Sequence, residues 1–560
     1  MARSSASGIA VRPFSWEAIS TVSPAVVSLV VFVAFSIQYV AFRSGDIFAV
    51  DGAYRCLEVY RRQKLFIDGS NHLLYPVFVF AWQRFIAIFG FRPAEPYAFF
   101  RLIEIMNCLA AAGCVAILCW LAIQATRNWR AAAGLTIGFG LSKAFLEQAT
   151  NANEPILGLL WSLTGMLFAA VGFHRGQRWP FFVSGLFFAL ATASYQSMIF
   201  LAPAAVVLAW QSPERKVLRG KRGVSSLVWL LAGGIAGFAV FYVPALAFLK
   251  ITQSALTNGG PLKIAGAHAW FGVNAGRVLN VPVGMVQNIF PVLTNFTGIR
   301  ALLRGPTLPL IYFLAALAAV AALIFVCAKD IWGHRAMLSG VQRAGVFAAT
   351  AGFTFSLIPV LFFSPNYDKL WLQPLACLAF ALAVALSGNR NRSPFEQRIR
   401  SALVAGILAS VMTNFAWAVP RHRVRSIQGL RETDEFAKIV KPDDFVVGDW
   451  NAISVLYQQL WPADGHYVDF VDLAAQEGRS ATRDMNEAIL RTQQRGGDVY
   501  FIGLLDDSKQ SWDGFLASRC GIPFSDADMY RNQSRIVSIF RLPSEQITVR
   551  RLNRFPPVSP

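Results

Sequence analysis

Charge is scarce in this chain. Only 15% of its 560 residues are Asp, Glu, Lys or Arg, against 55% hydrophobic and 13% aromatic, a balance that excludes an ordinary soluble globular protein. Metal and disulfide patterns are missing too: the seven cysteines show no ligand spacing, and four of them, Cys108, Cys114, Cys119 and Cys377, fall within apolar runs; a pairing of Cys56 with Cys520 in an oxidising compartment is left open. No GxGxxG or P-loop sequence occurs, so an independent nucleotide site is not indicated. Internal repeats and low-complexity tracts are also absent. The first apolar run has no small-residue cleavage site after it and reads as a retained helix. One long segment, 250–305, lacks acidic residues altogether while carrying Lys250, Lys263, His268, Arg277, Arg300 and Arg304.

What is abundant is apolar sequence in bilayer-sized pieces. Runs near 22–42, 98–123, 131–149, 155–173, 180–195, 197–212, 225–249, 308–328, 344–363, 369–387 and 400–419 approach the roughly 20 residues a helix needs to cross a membrane, giving about eleven expected transmembrane helices. A further run, 73–91, is interrupted by Pro76, Gln83 and Arg84. If it does not cross, and the N-terminus is cytoplasmic, the loops carrying Arg127 and Arg130, Arg175 and Arg178, Arg215 to Arg222, Lys329 to Arg343, and Arg390 to Arg400 all fall inside. If it crosses, they all turn outward against the positive-inside bias. Residues 73–91 are therefore expected as an interfacial or re-entrant helix on the outer face. The net charge of +19 is then explained by cytoplasmic loops rather than by nucleic acid, and the chain is expected in a bacterial-type plasma (inner) membrane.

This topology predicts a membrane domain, 1–419, with outer loops at 43–97, 150–155 and 250–307, and an extracytoplasmic domain, 420–560. In the latter, short apolar strands at 443–450, 466–473, 498–505 and 534–542 alternate with helical stretches, the pattern of a small three-layer α/β domain. Its tail, 550–560, reads as loosely ordered. The acid-free 250–305 segment suits either anionic headgroups or a lipid phosphate.

The most polar stretch of the membrane half is 46–76, which holds Asp46, Asp51, Glu58, Asp68 and His72 among Arg and Lys residues. A solvated loop would explain it, and so would a carboxylate at the mouth of a membrane cavity acting as a general base. Asp51-Gly52-Ala53-Tyr54, followed by Asn71-His72-Leu73-Leu74-Tyr75-Pro76, resembles the GT-C class of membrane glycosyltransferases. Within that class it resembles the branch containing the dolichyl-phosphate-mannose protein mannosyltransferases and the lipid A aminoarabinose transferases. There an Asp-Glu-Ala-Tyr type motif precedes a His-Pro-Pro-Leu type motif. Glu154 stands where that resemblance expects a second outer acid, and Pro365-Asn366-Tyr367-Asp368-Lys369 with Pro374 is a degraded form of its late Arg-Tyr-x-x-Pro element. Gly52 departs from the expected acid, Leu73 and Leu74 from the prolines, and Lys369 from the arginine.

The resemblance implies a sugar donor on a polyprenyl phosphate, and a glycan, lipid or protein acceptor at the outer side of the bilayer. Such chemistry needs a carboxylate to take the acceptor proton and fixed cations around the leaving phosphate. Asp51 is the expected base, with Asp46 its rival and an N-cap role its structural alternative. Glu154 would orient the acceptor, with His72 as a hydrogen-bonding member of the site. Lys369, Tyr367, Arg277, Lys263, Arg300 and Tyr54 are the candidates for donor and phosphate. A divalent cation, Mg2+ or Mn2+, between Asp51 and Glu154 is left open. The competing classes are a glycolipid transporter or flippase, which would favour inverted repeats, and a non-catalytic scaffold. Lys143 with Glu147, and Arg101 with Glu104, are expected to neutralise one another, and Tyr195-Gln196 to break two helices.

Overall fold

The computed structural model describes residues 23–44, 51–62, 73–212, 224–248, 273, 275–290, 303, 307–333, 335, 338–365, 367–387, 394–414, 420–449, 452–460, 467–506, 512–517, 520–542 and 545–553. The membrane half runs α1 (Pro24–Ala41), α2 (Asp51–Arg62), α3 (Tyr75–Ile88), α4 (Pro96–Thr126), α5 (Trp129–Gly140), α6 (Lys143–Ala149), α7 (Glu154–Arg175) and α8 (Trp179–Ser194). After a 3-10 turn (Gln196–Leu201) come α9 (Ala202–Trp210), α10 (Val224–Phe248), α11 (Ala275–Ile289), α12 (Thr307–Gly333) and α13 (Gly340–Phe362). A second 3-10 turn (Asp368–Trp371) leads into α14 (Leu372–Ser387), followed by α15 (Pro394–Met412).

Among the described residues, seven of these helices are long and apolar enough to cross a membrane: α1, α4, α7, α10, α12, α13 and α14 with its leading turn. Their outward positions, such as Leu29, Ile37, Ile235, Phe238, Phe325 and Phe347, are large, apolar and exposed, which is the reverse of a soluble surface and fits faces covered by lipid. Of the remaining expected spans, 180–195 and 197–212 are shorter helices, 131–149 is divided, and 400–419 overlaps α15, whose first two turns carry Glu396, Arg398 and Arg400. Residues 131–149, expected as one helix, split into α5 and α6 at Leu141-Ser142. Unwound backbone inside a bilayer survives only if its polar groups find partners. Here Tyr39 donates to Gly140 O at 2.7 Å, Ser142 Oγ to Phe139 O at 2.7 Å and Asn414 Nδ2 to Leu141 O at 2.6 Å. Tyr195 is extended and separates α8 from the following 3-10 turn.

At 14 residues, α3 spans only about 21 Å, short of the roughly 30 Å hydrocarbon core. It lies against its neighbours, with Trp82 Nε1 donating to Leu102 O at 2.9 Å and Leu74 N to Ala193 O at 3.1 Å. Within the expected 250–307 loop, the helix α11 was not anticipated. Its Val283, Val286, Gln287 and the adjacent Phe290 are buried at helical spacing.

The C-terminal half begins with α16 (Pro420–Ala437) and continues through β1 (Phe445–Gly448), α17 (Ala452–Leu460), β2 (Tyr467–Asp469), α18 (Phe470–Glu477), α19 (Ser480–Gln494), β3 (Val499–Ile502), α20 (Phe524–Asn532), β4 (Ser534–Leu542) and β5 (Glu545–Leu552). The strands form one sheet in the order β2-β1-β3-β5-β4, parallel across β2-β1-β3 and antiparallel thereafter. Alternate residues feed two separate cores. Val447, Val499 and Phe501 pack with Met485 and Ile489, while Val446, Tyr500 and Ile502 pack with Phe436 and Tyr457. This is the expected three-layer arrangement, with helices on both faces.

Two details differ. The strand expected at 466–473 stops at Asp469, where α18 starts. Residues 550–552, expected in a loose tail, instead complete β5 between β3 and β4. That strand is disguised by its arginines: Arg550 pairs with Asp506 at 3.5 Å and Arg551 with Asp498 at 2.6 Å, while Ile547, Val549 and Leu552 are buried. Cys56 and Cys520 are not joined by a disulfide, because Cys56 belongs to the membrane core and Cys520 to the sheet domain's core.

The two halves meet at one end of the bundle. Helix α17 packs on α2, and its Leu456 is completely buried in the same core as Cys56, Leu57 and Val59. The described residues of two expected outer loops, Ser44 with α2 and 150–154, therefore lie against one another at this junction. Arg127, which terminates α4, lies about 30 Å along that helix from Asn107.

Candidate active site

Glu154 is the centre of this end of the molecule. It opens α7, is completely buried, and forms an ion pair at 3.4 Å with Lys369, itself only 5% exposed. The Lys369 ammonium also sits 5.6 Å from the Tyr367 ring. Two charges removed from water at this cost persist only as partners, so the second acid and the late motif, expected separately from sequence, come together.

Helix α2 arrives at the same place through Gly52. Its Cα is pressed against the 152–154 backbone: an added Cβ would collide with Ala152 O, and would lie 2.6 Å from Asn153 Cα and 2.9 Å from Glu154 Oε2. The residue that departs from the resembled motif is thus a close-approach glycine. It lets the backbone of Asp51, the first residue of α2, lie beside Glu154.

A chain of amides holds the arrangement. Asn107, deep in apolar α4, donates to the carbonyls of Asn151 (2.8 Å) and Asn153. Ser44, just past α1, bonds the Asn151 side chain, and its N–H donates to Thr150 O at 3.0 Å. Asn153 Nδ2 donates to Gln148 Oε1 at 2.5 Å, and Gln148 Nε2 to Asp368 Oδ2 at 2.7 Å. The turn before Lys369 is locked by Trp371 Nε1 donating to Pro365 O at 2.6 Å, with Gly284 of α11 against that same residue. Arg277, half-buried in the first turn of α11, donates to Phe362 O at the end of α13.

Other charges on α2 and on α4 beside it are buried as well. Arg55 and Glu58 are each 6% exposed, and Glu104 is fully buried with Arg101 at 2.6 Å. Lys143 and Glu147 pair at 3.6 Å. Burial pushes the Cys56 thiol up; the Tyr75 hydroxyl, 3.8 Å away, offsets this in part, and Glu154 and Glu104 add to it. Cys56 should therefore stay unmodified when folded protein is treated with iodoacetamide and mapped by mass spectrometry, and react only after denaturation.

Of the residues singled out from sequence, Glu154, Lys369 and Tyr367 are brought together, with Arg277 on the adjoining turn. For Asp51 and Tyr54 the structure describes the backbone alone, and Asp46, His72, Lys263 and Arg300 lie outside the described residues. Sequence reasoning missed Asn107, Gln148, Asn153 and Asp368. The available signal was Asn107, a buried amide in the middle of an apolar span.

Among the described residues, no three His, Cys, Asp or Glu side chains gather as a metal site. At Glu154 the carboxylate already carries an ammonium, whereas Mg2+ or Mn2+ requires several oxygens. Asp51, the other carboxylate named for such an ion, has its side chain outside the described residues.

No protein-family model matches the sequence, and no curated protein matches it significantly. The fold is nonetheless GT-C-like. Specifically, the chain is similar in structure to ArnT of Cupriavidus metallidurans. In its apo state the TM-score is 0.54 at 12% identity, covering 94% of this chain and 98% of that one. With undecaprenyl phosphate bound, the TM-score is 0.53 at 11% identity, covering 93% and 97%.

Proposed function

We propose that this protein is a membrane glycosyltransferase that moves a sugar from a polyprenyl-phosphate carrier to an acceptor hydroxyl on the extracytoplasmic side. The observation that carries this reading is the convergence of the first turn of α2 on the buried Glu154–Lys369 pair, beneath the α/β domain. Asp51 is the general base: it takes the acceptor proton as the oxygen attacks the anomeric carbon and the bond to phosphate breaks on the opposite face, inverting the centre. Glu154 orients the acceptor. Lys369 neutralises Glu154 and, with Arg277 and the basic 250–307 segment carrying Lys263 and Arg300, adds positive potential that stabilises the departing phosphate. Tyr54 and Tyr367 are assigned to the donor. The similarity to an ArnT structure holding undecaprenyl phosphate supports this donor class.

The test is transfer of labelled sugar from membrane lipid-linked donors by wild type and Asp51→Asn at matched folded protein. Loss of the base should lower the rate by about 10²- to 10⁴-fold. Unchanged transfer would remove Asp51 and direct attention to Asp46. Absence of transfer by wild type from any lipid-linked donor would favour a glycolipid transporter or scaffold.

A further inference from the structure

Glu154 and Lys369 are 215 residues apart in sequence, yet the residues just before each are held by one side chain. Gln148, 4% exposed on α6, accepts from Asn153 Nδ2 through Oε1 and donates through Nε2 to Asp368 Oδ2. Asp368 Oδ1 in turn accepts the Lys369 N–H at 2.9 Å, closing the turn that carries the lysine. We infer that Gln148 is a positioning residue, the clamp that sets Glu154 against Lys369 and so fixes both for the transfer proposed above, on which this inference rests.

The chemistry requires an amide. Asn and Gln carry the donor and the acceptor on two separate atoms of one tip, whereas a Ser or Thr hydroxyl has both on one atom, and Asn is a methylene shorter. In a buried site each lost bond leaves an unsatisfied polar group. The divided 131–149 segment now has a consequence: unwinding at Leu141-Ser142 frees α6 from the direction of α5, and its last turn carries Gln148 to the Asp368 turn.

The hydrogen-bond directions define a swap that only this geometry would reward. Gln148→Glu keeps the acceptor for Asn153 but sets a carboxylate against the half-buried Asp368, two like charges in contact. Asp368→Asn alone is the milder change: its single amide oxygen keeps either the Gln148 or the Lys369 N–H bond and loses the other, but it sets no like charges together. The double variant Gln148→Glu/Asp368→Asn restores every bond. The new carboxylate accepts from Asn153 and from the new amide at 368, whose oxygen still receives the Lys369 N–H, and the total charge is unchanged.

The experiment measures sugar transfer from polyprenyl-phosphate donor for the full-length wild type, both single variants and the double, with folded protein quantified by size exclusion and thermal unfolding. Gln148→Glu should lower kcat per folded molecule by about 100-fold, the cost of a misplaced catalytic group, with KM for the donor nearly unchanged. Asp368→Asn should stay within about fivefold, and the double should recover to within about fivefold of wild type, a coupling expected only of directly interacting residues. If Gln148→Glu does not fold, recovery of folded, active protein in the double carries the same information. A double variant no better than Gln148→Glu, or a loss that merely follows the folded fraction, overturns the positioning role while wild-type transfer leaves the proposed function standing. A wild type that transfers from no polyprenyl-phosphate donor overturns both.

Discussion

Gly52→Glu should abolish sugar transfer and reduce the yield of folded protein, although it moves the sequence toward the acidic motif of the enzymes it resembles. The reason is steric before it is electrostatic. At position 52 a Cβ meets the Ala152 carbonyl and the Asn153 Cα at 2.6 Å, and these are backbone atoms that cannot rotate aside. Overpacking of this kind costs about 1–3 kcal/mol, and the added carboxylate would also face the buried Glu154. Gly52→Ala isolates the steric part and should already lower the unfolding temperature and transfer together. Thermal unfolding and transfer assays on both variants decide the matter. A fully active Gly52→Glu protein would mean that α2 does not rest on the 152–154 backbone in the working enzyme.

Lys369→Met should be the most destabilising single change at the site. It leaves Glu154, completely buried, without its cation, and breaking a buried pair from one side costs about 3–5 kcal/mol. Adding Glu154→Gln should return most of that stability, because a neutral amide next to an apolar chain has no stranded charge. Transfer should remain absent in both variants, since the restored packing carries neither the carboxylate nor the ammonium. Denaturant or thermal unfolding in detergent reads the first effect, and labelled-sugar transfer the second. Equal stability of Lys369→Met and wild type would show that the 3.4 Å pair does not contribute to the fold.

The sequence was informative where structure follows from local chemistry. Apolar run lengths marked the helices, and the paucity of charge between Val22 and Pro420 marked them as membrane helices. The short-range pairs Lys143–Glu147 and Arg101–Glu104 were legible because helical spacing brings them together. The three-layer domain was legible from alternating strands, except β5, whose arginines conceal a strand that only Asp498 and Asp506 explain. The same limit applies at the site. Gly52 looked like the loss of a motif acid, and is a contact. Glu154 and Lys369 were each singled out, but nothing local indicated that they touch. Gln148 drew no notice and Asp368 was only a letter of the late motif, since one amide and one acid beside a turn carry no signal until they are found 2.7 Å apart.

By itself, then, the sequence determined a basic polytopic membrane protein with its motif-bearing loops and a small α/β domain on one side. Hydropathy, charge bias and strand alternation act over a turn or a span and need no distant partner. Only the tertiary structure decided which polar groups meet. In a buried site a charge or amide is satisfied by whatever lies within about 3 Å, and packing α2, α4, α6, α7 and the 365–371 turn against one another sets those neighbours across hundreds of residues of chain.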